Sequence, residues 1–577
     1  MNRTYRLVAA CLAVMLGAAP QTVHAQSDET AVERLVQILV KTGVLTKEQA
    51  ESLAQQARDE ARAARAAAPP RAAATGAAAA GAATAGAAAA GAAASAKPVP
   101  AGTVRVTYIP ETVRKQIAAE VKQQVMQQAT EEGWAEPNTI PGWTQRIRLY
   151  GDVRVRGEFD IFPKGNYDAF PDFGAINQTP NGYDATSGVL PPLLNTTQNR
   201  TRMYVRARLG VLANITDWAD GNIELATGND RSPVSTNQTL GQTGDFSKYA
   251  VWLSQAAITM RPLDSLTLYA GRFPNPYWTS NLLFYDDLRV DGLALNAHAK
   301  VSEEFSGFLI AGAYPVFNTD FAFGSTNIVK TPSHNAWMAA VQAGTDWKAA
   351  DKPYSARFAI GYFGFENVEG QLSSPCVAPT SYGSCNTDNT RAPWTQFGNT
   401  VFAVRNITLT DGFSTPQPQY YGLASSFGVL DLHGQFLYSG FHPIDIRPEF
   451  DFVDNLNFNS QSIIHNNPVN NLGGNNLFVG SNTGYMVRLL VGHPTLVEAH
   501  DWNVALSYKY VGSDAVIDAL TDPEFRLGGT NAKGFVLEGN YAFGHNIWVA
   551  GKWTSTNAVS GPPYAADTVL LDLNVKF

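Results

Sequence analysis

Residues 567–577 read DTVLLDLNVKF, and how this stretch is taken decides the fold. Val569, Leu571, Leu573, Val575 and Phe577 fall on one face of an extended strand. Thr568, Asp572, Asn574 and Lys576 fall on the other, with Leu570 as the exception. Such a two-faced strand suits the edge of a soluble sheet or a stave of a membrane barrel, and the rest of the chain must choose.

With 577 residues there is room for several soluble domains or one large barrel with appendages. A hydrophobic content of 45%, a mean hydropathy of -0.14 and the lack of any internal run of about 20 apolar residues argue against membrane-spanning helices. A membrane barrel escapes such averages, because lipid-facing and lumen-facing residues alternate and cancel. Aromatic content of 11% and 49 Gly suit many strands and turns. The net charge of -8 leaves no footprint for nucleic acid.

From residue 142 to the end the periodicity is alternating. Over 146–160, Arg146, Arg148, Tyr150, Asp152, Arg154, Arg156 and Glu158 oppose Ile147, Leu149, Val153, Val155 and Phe159. Over 200–215, Arg200, Arg202, Tyr204, Arg206 and Arg208 oppose Met203, Val205, Ala207, Leu209 and Val211. About 16 such segments can be counted, each near the roughly 9 to 11 residues of a tilted membrane crossing. Among them are 419–427 and 429–440, joined by a short turn around Phe427, with long loops at 367–418 and 441–482. Short turns alternate with long loops throughout. A soluble sandwich has no reason to sort its loops in this way, whereas an antiparallel up-and-down outer-membrane β-barrel does. Aromatic residues near strand ends, including Trp252, Tyr269, Tyr314, Trp337, Trp347, Tyr354, Trp502, Trp548 and Trp553, are candidates for interfacial girdles, some being ordinary packing residues.

Upstream, residues 1–25 read as an export signal, with Arg3 and Arg6, an apolar stretch and a VHA cleavage site. The run before Cys11 is too short to favour a lipoprotein signal. Residues 26–66 carry a helical pattern, Val32, Leu35, Val36 and Leu39, then Gly43 and a capping box from Thr46 to Gln49, giving a small periplasmic helical hairpin or a weakly ordered appendage. Residues 67–102 form an Ala/Gly/Pro-rich linker; if flexible it reaches about 30 Å, and its alanines also allow a helical spacer. In 103–141 a second periplasmic helical segment places Val113, Ile117, Val121 and Val125 in one narrow stripe, suited to a neighbouring helix, the barrel base or a periplasmic coiled coil.

Four stretches carry a resemblance: EEGW at 131–134, LATGNDRSPVSTNQ at 225–238, GRFPNP at 271–276 and YDDLR at 285–289. Together they resemble the bacterial putative porins, in which a periplasmic helical region precedes an outer-membrane barrel. The resemblance implies passive diffusion of small hydrophilic solutes or ions through a water-filled pore, and supplies no substrate. The strand at 567–577 also resembles the recognition signal of outer-membrane barrel proteins, which implies Phe577 as an assembly signal.

Several site residues follow. Arg148, Arg154, Arg156, Arg202, Arg206 and Arg208 make a pore-lining ladder on two adjacent strands, unless Asp152, Glu158 and Glu224 neutralise it locally. By analogy with general porins, the loop after Phe273 folds inward, and its Asp286 and Asp287 face the arginines across a constriction; alternatively the pair braces the loop or binds a divalent ion at the rim. Cys376 and Cys385, in a long Gly/Ser/Pro/Asn-rich loop of an exported chain, favour a disulfide over free thiols or metal binding.

The scattered histidines show no metal-ligand spacing, and neither a phosphate-binding loop nor a nucleophile elbow occurs, so no cofactor, metal site or catalytic residue is expected. The leading reading is a diffusion channel. A structural or adhesive barrel with large surface loops competes with it, and a barrel hydrolase is third. Expected partners are outer-membrane lipid, the barrel-assembly machinery and small solutes or ions, with a homotrimer and a peptidoglycan contact as further options.

Overall fold

The computed structural model describes residues 144–577 apart from 180–181, 185–187, 230–231, 243, 245, 319–332, 377–384, 393 and 409–416. The export signal, both helical segments and the linker expected before residue 142 lie outside the described residues, as do EEGW and Asp230-Arg231 of the longer motif.

Sixteen antiparallel staves form a closed barrel. They are β1 (Ile147–Ile161), β2 (Arg200–Thr216), β3 (Ala219–Ala226), β4 (Trp252–Leu263), β5 (Leu266–Pro274), β6 (Arg289–Lys300), β7 (Phe305–Asn318) and β8 (Asn335–Lys348). There follow β9 (Tyr354–Glu366), β10 (Gly428–Phe441), β11 (Ile444–Asn455), β12 (Thr483–Gly492), β13 (Trp502–Val511), β14 (Ala532–Gly544), β15 (Ile547–Ala558) and β16 (Ala565–Lys576). Each pairs with its sequence neighbours, and β16 closes on β1 from Asp152↔Lys576 to Ile161↔Asp567. A two-residue strand, Gln238–Thr239, pairs with Tyr204 and Val205 above the end of β3.

The connections sort by side. Tight turns such as Asp217-Trp218, Asp264-Ser265, His442-Pro443 and His545-Asn546 occupy one end. The other end carries the loops L1 (162–199), L2 (227–251), L3 (275–288), L4 (319–334), L5 (367–427), L6 (456–482), L7 (512–531) and the shorter L8 (559–564). Alternation within each stave puts Leu149, Val153, Val155, Phe159, Leu209, Val487, Leu489 and Leu571 on the exposed outer face, the band that lipid would cover. Trp252, Trp337, Tyr354, Trp502 and Trp553 are exposed near strand ends, as girdle residues are, whereas Tyr314 is buried inside the barrel and Tyr269 stacks on Phe273 there.

The assignment at residues 419–455 needs correction. Residues 419–427 are not a stave; short bridges, Pro418–Gln419 and Tyr421–Leu423, hold them within L5. Ile444–Asn455 is a stave, although Pro448 and four acids gave it the look of a loop. The β10–β11 ladder skips Phe436 and Leu437 opposite Pro448 and Arg447, so the missing proline N–H breaks no pairing. Phe450 and Phe452 turn outward while Asp445, Asp451 and Asn455 turn in. The two errors cancel in the strand count, yet they reversed the direction expected for 429–440.

The barrel interior is not uniform. Against β6–β11 lies an apolar core built from L3 (Leu282, Leu283, Phe284), L5 (Val401, Leu423, Phe427), L7 (Val516, Ile517) and wall residues such as Ile310, Met338 and Phe363. Against β1, β2 and β10–β16 the wall is charged.

Candidate functional site

L3 is the element that brings the two walls together. Leaving β5, the Asn275 side chain accepts from the Tyr277 N–H at 3.2 Å and turns the chain inward. Wall groups then pin it. The Tyr277 hydroxyl donates to the Ala340 carbonyl at 3.1 Å, and the Trp278 backbone exchanges two hydrogen bonds with the Gln342 amide, both 2.9 Å. The Trp278 ring stacks on His433 at 3.8 Å, Arg357 lies over the Trp278 and Phe308 rings at 4.7 and 4.5 Å, and the Ser280 hydroxyl donates to Asp451 at 2.5 Å. Buried polar groups satisfied in this way fix the loop in one position.

L3 thereby delivers Asp287 to the arginine ladder. Its two oxygens accept from Arg206 Nη1 at 3.2 Å and Arg208 Nη1 at 2.8 Å, while Asp152 accepts from both Nε atoms at 2.9 and 2.6 Å. Burial raises the Asp287 carboxyl, but Arg206 and Arg208 outweigh it and hold it below the usual carboxylate range. Asp286, the neighbouring residue, stands exposed in the lumen. Its depth in the barrel, with Asp287 and Asp522 nearby, pushes it up to about 6, so in lumen water it is still mainly ionised at neutral pH.

The ladder continues above this contact. Arg156 forks onto both oxygens of Asp572, 2.7 Å each, and also reaches Glu524 of L7. Arg154 donates to Asn237 of L2 at 2.6 Å and lies 3.9 Å from Asp572. Arg202 pairs with Glu158 at 2.5 Å and Asp160 at 3.0 Å. Five of the six expected arginines are therefore ion-paired, in three groups: Arg206 with Arg208, Arg154 with Arg156, and Arg202 with Glu158 and Asp160. Arg148 joins none of them: it sits exposed opposite Leu212, toward the tight-turn end. Neutralisation comes from Asp152 and Glu158 as weighed, whereas Glu224 bonds Ser254 instead, 3.9 Å from Arg289.

No local pattern announced that the Arg154–Arg156 group extends far along the wall. Glu524 bonds Lys552 at 3.0 Å, Lys552 lies 3.5 Å from Glu538, and Glu538 bonds Arg488 at 3.0 Å. Arg488 lies 3.5 Å from Glu449, which pairs with His433 at 2.9 Å. Lys509 binds Asp522 of L7 at 2.9 Å. Burial opposes the Glu524 charge, but Lys552 and Arg156 hold its carboxyl well below the ordinary value. A lone charge at an inward position of an otherwise apolar strand, as at Arg488, Lys509 and Lys552, was the available signal. Glu524, on a loop, had none.

Two further expectations concern the scaffold. Cys376 and Cys385 are joined in a disulfide within L5. Phe577 exchanges two backbone hydrogen bonds with Gly151, both 3.0 Å, and lays its ring over that glycine. A Cβ on Gly151 would meet the Arg208 carbonyl oxygen at 2.4 Å and the Phe577 ring at 2.6 Å, so the site admits no larger residue without movement. Leu570, the exception in the alternation, is buried inward against a cavity shared with Pro523 and Leu527. Among the described residues no group of three His, Cys, Asp or Glu side chains is arranged to hold a metal ion.

Comparison with solved structures finds outer-membrane proteins. The outer membrane channel DcaP of Acinetobacter baumannii is 12% identical, with a TM-score of 0.37 over 75% of this chain and 97% of that one. Pseudomonas putida OprB is 11% identical, TM-score 0.38, over 75% and 95%. Salmonella typhi OmpF, solved as a complex with daunomycin, is 9% identical, TM-score 0.35, over 75% and 97%. No curated protein matches the chain by sequence. The family model described as Putative porin matches residues 29–577, nearly the whole chain. With a closed barrel of sixteen staves and loops sorted to one end, the chain belongs to this putative porin family of outer-membrane barrels.

Proposed function

We propose that the protein is a passive diffusion channel for small hydrophilic solutes or ions, and that its constriction is the charged belt where L3 meets the arginine ladder. The observation that carries this is the pairing of Asp287 on the inward loop with Arg206 and Arg208 on the wall, which leaves Asp286 projecting into the lumen. Paired charges of both signs around an opening screen a solute by size and charge at once. Family and fold favour a channel over an enzyme. Phe577, paired with Gly151, is the assembly signal in this reading.

Reconstitution in planar bilayers tests the proposal. Ohmic single-channel steps are expected, with Asp286→Asn moving the reversal potential toward anions. Replacing Arg154, Arg156, Arg202 and Arg206 together by Gln should move it toward cations, because Asp572 loses both its arginines and Asp287 one of two. Selectivity unchanged in both variants would sink the assignment of the constriction.

One observation favours a second reading, a structural barrel whose lumen is occluded: Val401, Phe402, Leu423 and Phe427 of L5 have no exposure at all within the fold. Correctly folded protein that gives no conductance steps would select that reading.

A further inference from the structure

Above Leu293↔Ala313 the β6–β7 ladder stops. Residues 289–292 of β6 continue to pair with β5 alone, and residues 314–318 of β7 pair with β8 alone. On its other side the β5 tip also stands free, since β4 pairs with it only as far as Ala256↔Arg272. The split begins just beyond Gly271 and Gly292, which face each other in register, both with positive φ, 107° and 145°. Glycine tolerates these angles and the close approach of the Ala256 and Ala313 carbonyls, each 2.3 Å from where a Cβ would stand.

A cavity of about 510 Å³ lies at this split. Its inner lining includes Phe284, Leu288 and Met338 from the loop-and-wall core, all almost fully buried. Its outer lining includes Leu253, 53% exposed on the loop-side end of β4. One hollow is thus bordered by both faces of the barrel wall, which an intact ladder would prevent. It is mostly apolar, as sites for organic ligands are.

Three charged side chains line it: Arg272 and Asp291 pair with each other at 2.8 Å, which leaves Arg289. Its side chain is only 10% exposed, and its Nε is buried without a hydrogen-bond partner. Its Nη1 reaches only the carbonyls of Asp286 and Leu288, at 3.4 and 3.3 Å, and the nearest carboxylate, Glu224, is 3.9 Å away. Arg156, Arg202, Arg206 and Arg208 each hold a carboxylate much closer. A buried guanidinium with an unused donor lacks an acceptor of matching charge, and a carboxylate supplies one.

We infer that this cavity binds an amphiphilic carboxylate, its aromatic or alkyl body against Phe284, Leu288 and Met338 and its head on Arg289, entering through the β6–β7 split from the bilayer side. Arg289 also faces Asp287 of the charged belt, but equilibrium binding does not require conductance, so a barrel that proves silent in bilayers leaves the test intact.

The test uses the full chain in phosphatidylcholine nanodiscs, titrated with 4-phenylbutyrate by calorimetry. Saturable binding of one ligand per barrel is expected, weakened at least tenfold by Arg289→Gln and partly kept by Arg289→Lys. The neutral 4-phenylbutanol should bind at least tenfold more weakly than the acid. Val316→Trp, which fills the cavity beside the split, should abolish binding in protein whose heat-modifiable mobility shows a folded barrel, and it decides the matter if Arg289→Gln fails to fold. No saturable binding to the wild type, equal affinity for acid and alcohol, or undiminished binding to folded Val316→Trp would each overturn the proposal.

Discussion

Asp518 is buried in L7 among neighbours that include no basic side chain near its carboxyl. Burial pushes that carboxyl up to about 7, although the Gln396 N–H donates to it at 3.2 Å. Asp514, four residues earlier, accepts from the Thr400 N–H at 2.8 Å, the Thr400 hydroxyl at 2.6 Å and the Ser513 hydroxyl at 2.8 Å, and burial still pushes it up to about 6. Both acids therefore prefer a proton when L7 is docked on L5. A raised folded value contributes stability that is complete below the unfolded value near 3.8 and is lost as pH climbs through about 6 to 7. The L5–L7 contact should loosen between about pH 4 and pH 7. At about 1.4 kcal/mol per pKa unit, Asp518 alone biases it by more than tenfold. Hydrogen exchange in L5 and L7 peptides, corrected for intrinsic rates, should rise over that interval in the wild type and stay nearly flat in Asp514→Asn/Asp518→Asn. The same slope in both proteins would refute the assignment.

At the scale of elements, the pinning of L3 is distributed over β8, β10 and β11, and Gln342 is its most exacting contact. Gln342→Ala strands the Trp278 N–H inside the barrel, a loss of about 1–3 kcal/mol for an unpaired buried group, and leaves its carbonyl only His433 Nδ1 at 3.3 Å. The expected outcome is a folded channel with added open-state current noise as L3 fluctuates; a trace as quiet as the wild type would place the anchor elsewhere. The elements also show what could be read from the chain. Arginines at alternate positions of β1 and β2 declared an inward charged face, because strand parity leaves a side chain only two directions. The inward fold of L3 and the Asp287 contact followed from family likeness rather than from periodicity. β11 stayed hidden because Pro448 and the acids are loop-like by composition, and only the skipped pairs opposite them make a strand tolerable. Glu524, Asp514 and Asp518 act through tertiary burial of L7, which no local pattern encodes.

At the scale of the molecule, the barrel is shut by the pairing of β1 with β16, and Gly151 is its tightest point. Gly151→Ala should lower the heat-modifiable folded fraction severalfold, since its Cβ would press on a backbone carbonyl that cannot move aside. Removing Phe577 should have a milder effect in the same direction, because two backbone hydrogen bonds and the covering ring go together. Normal yields of both variants would show that this seam is dispensable. The seam has a further consequence. Arg156 is quenched by Asp572, 416 positions away in the chain, and by Glu524, 368 positions away. Before β16 docks, Arg154 and Arg156 of β1 stand without a carboxylate partner; afterwards both are neutralised. An arrested, open barrel should therefore cling to a polyanion such as heparin at salt concentrations that release the closed form, so the chain's own electrostatics announce whether its assembly has finished.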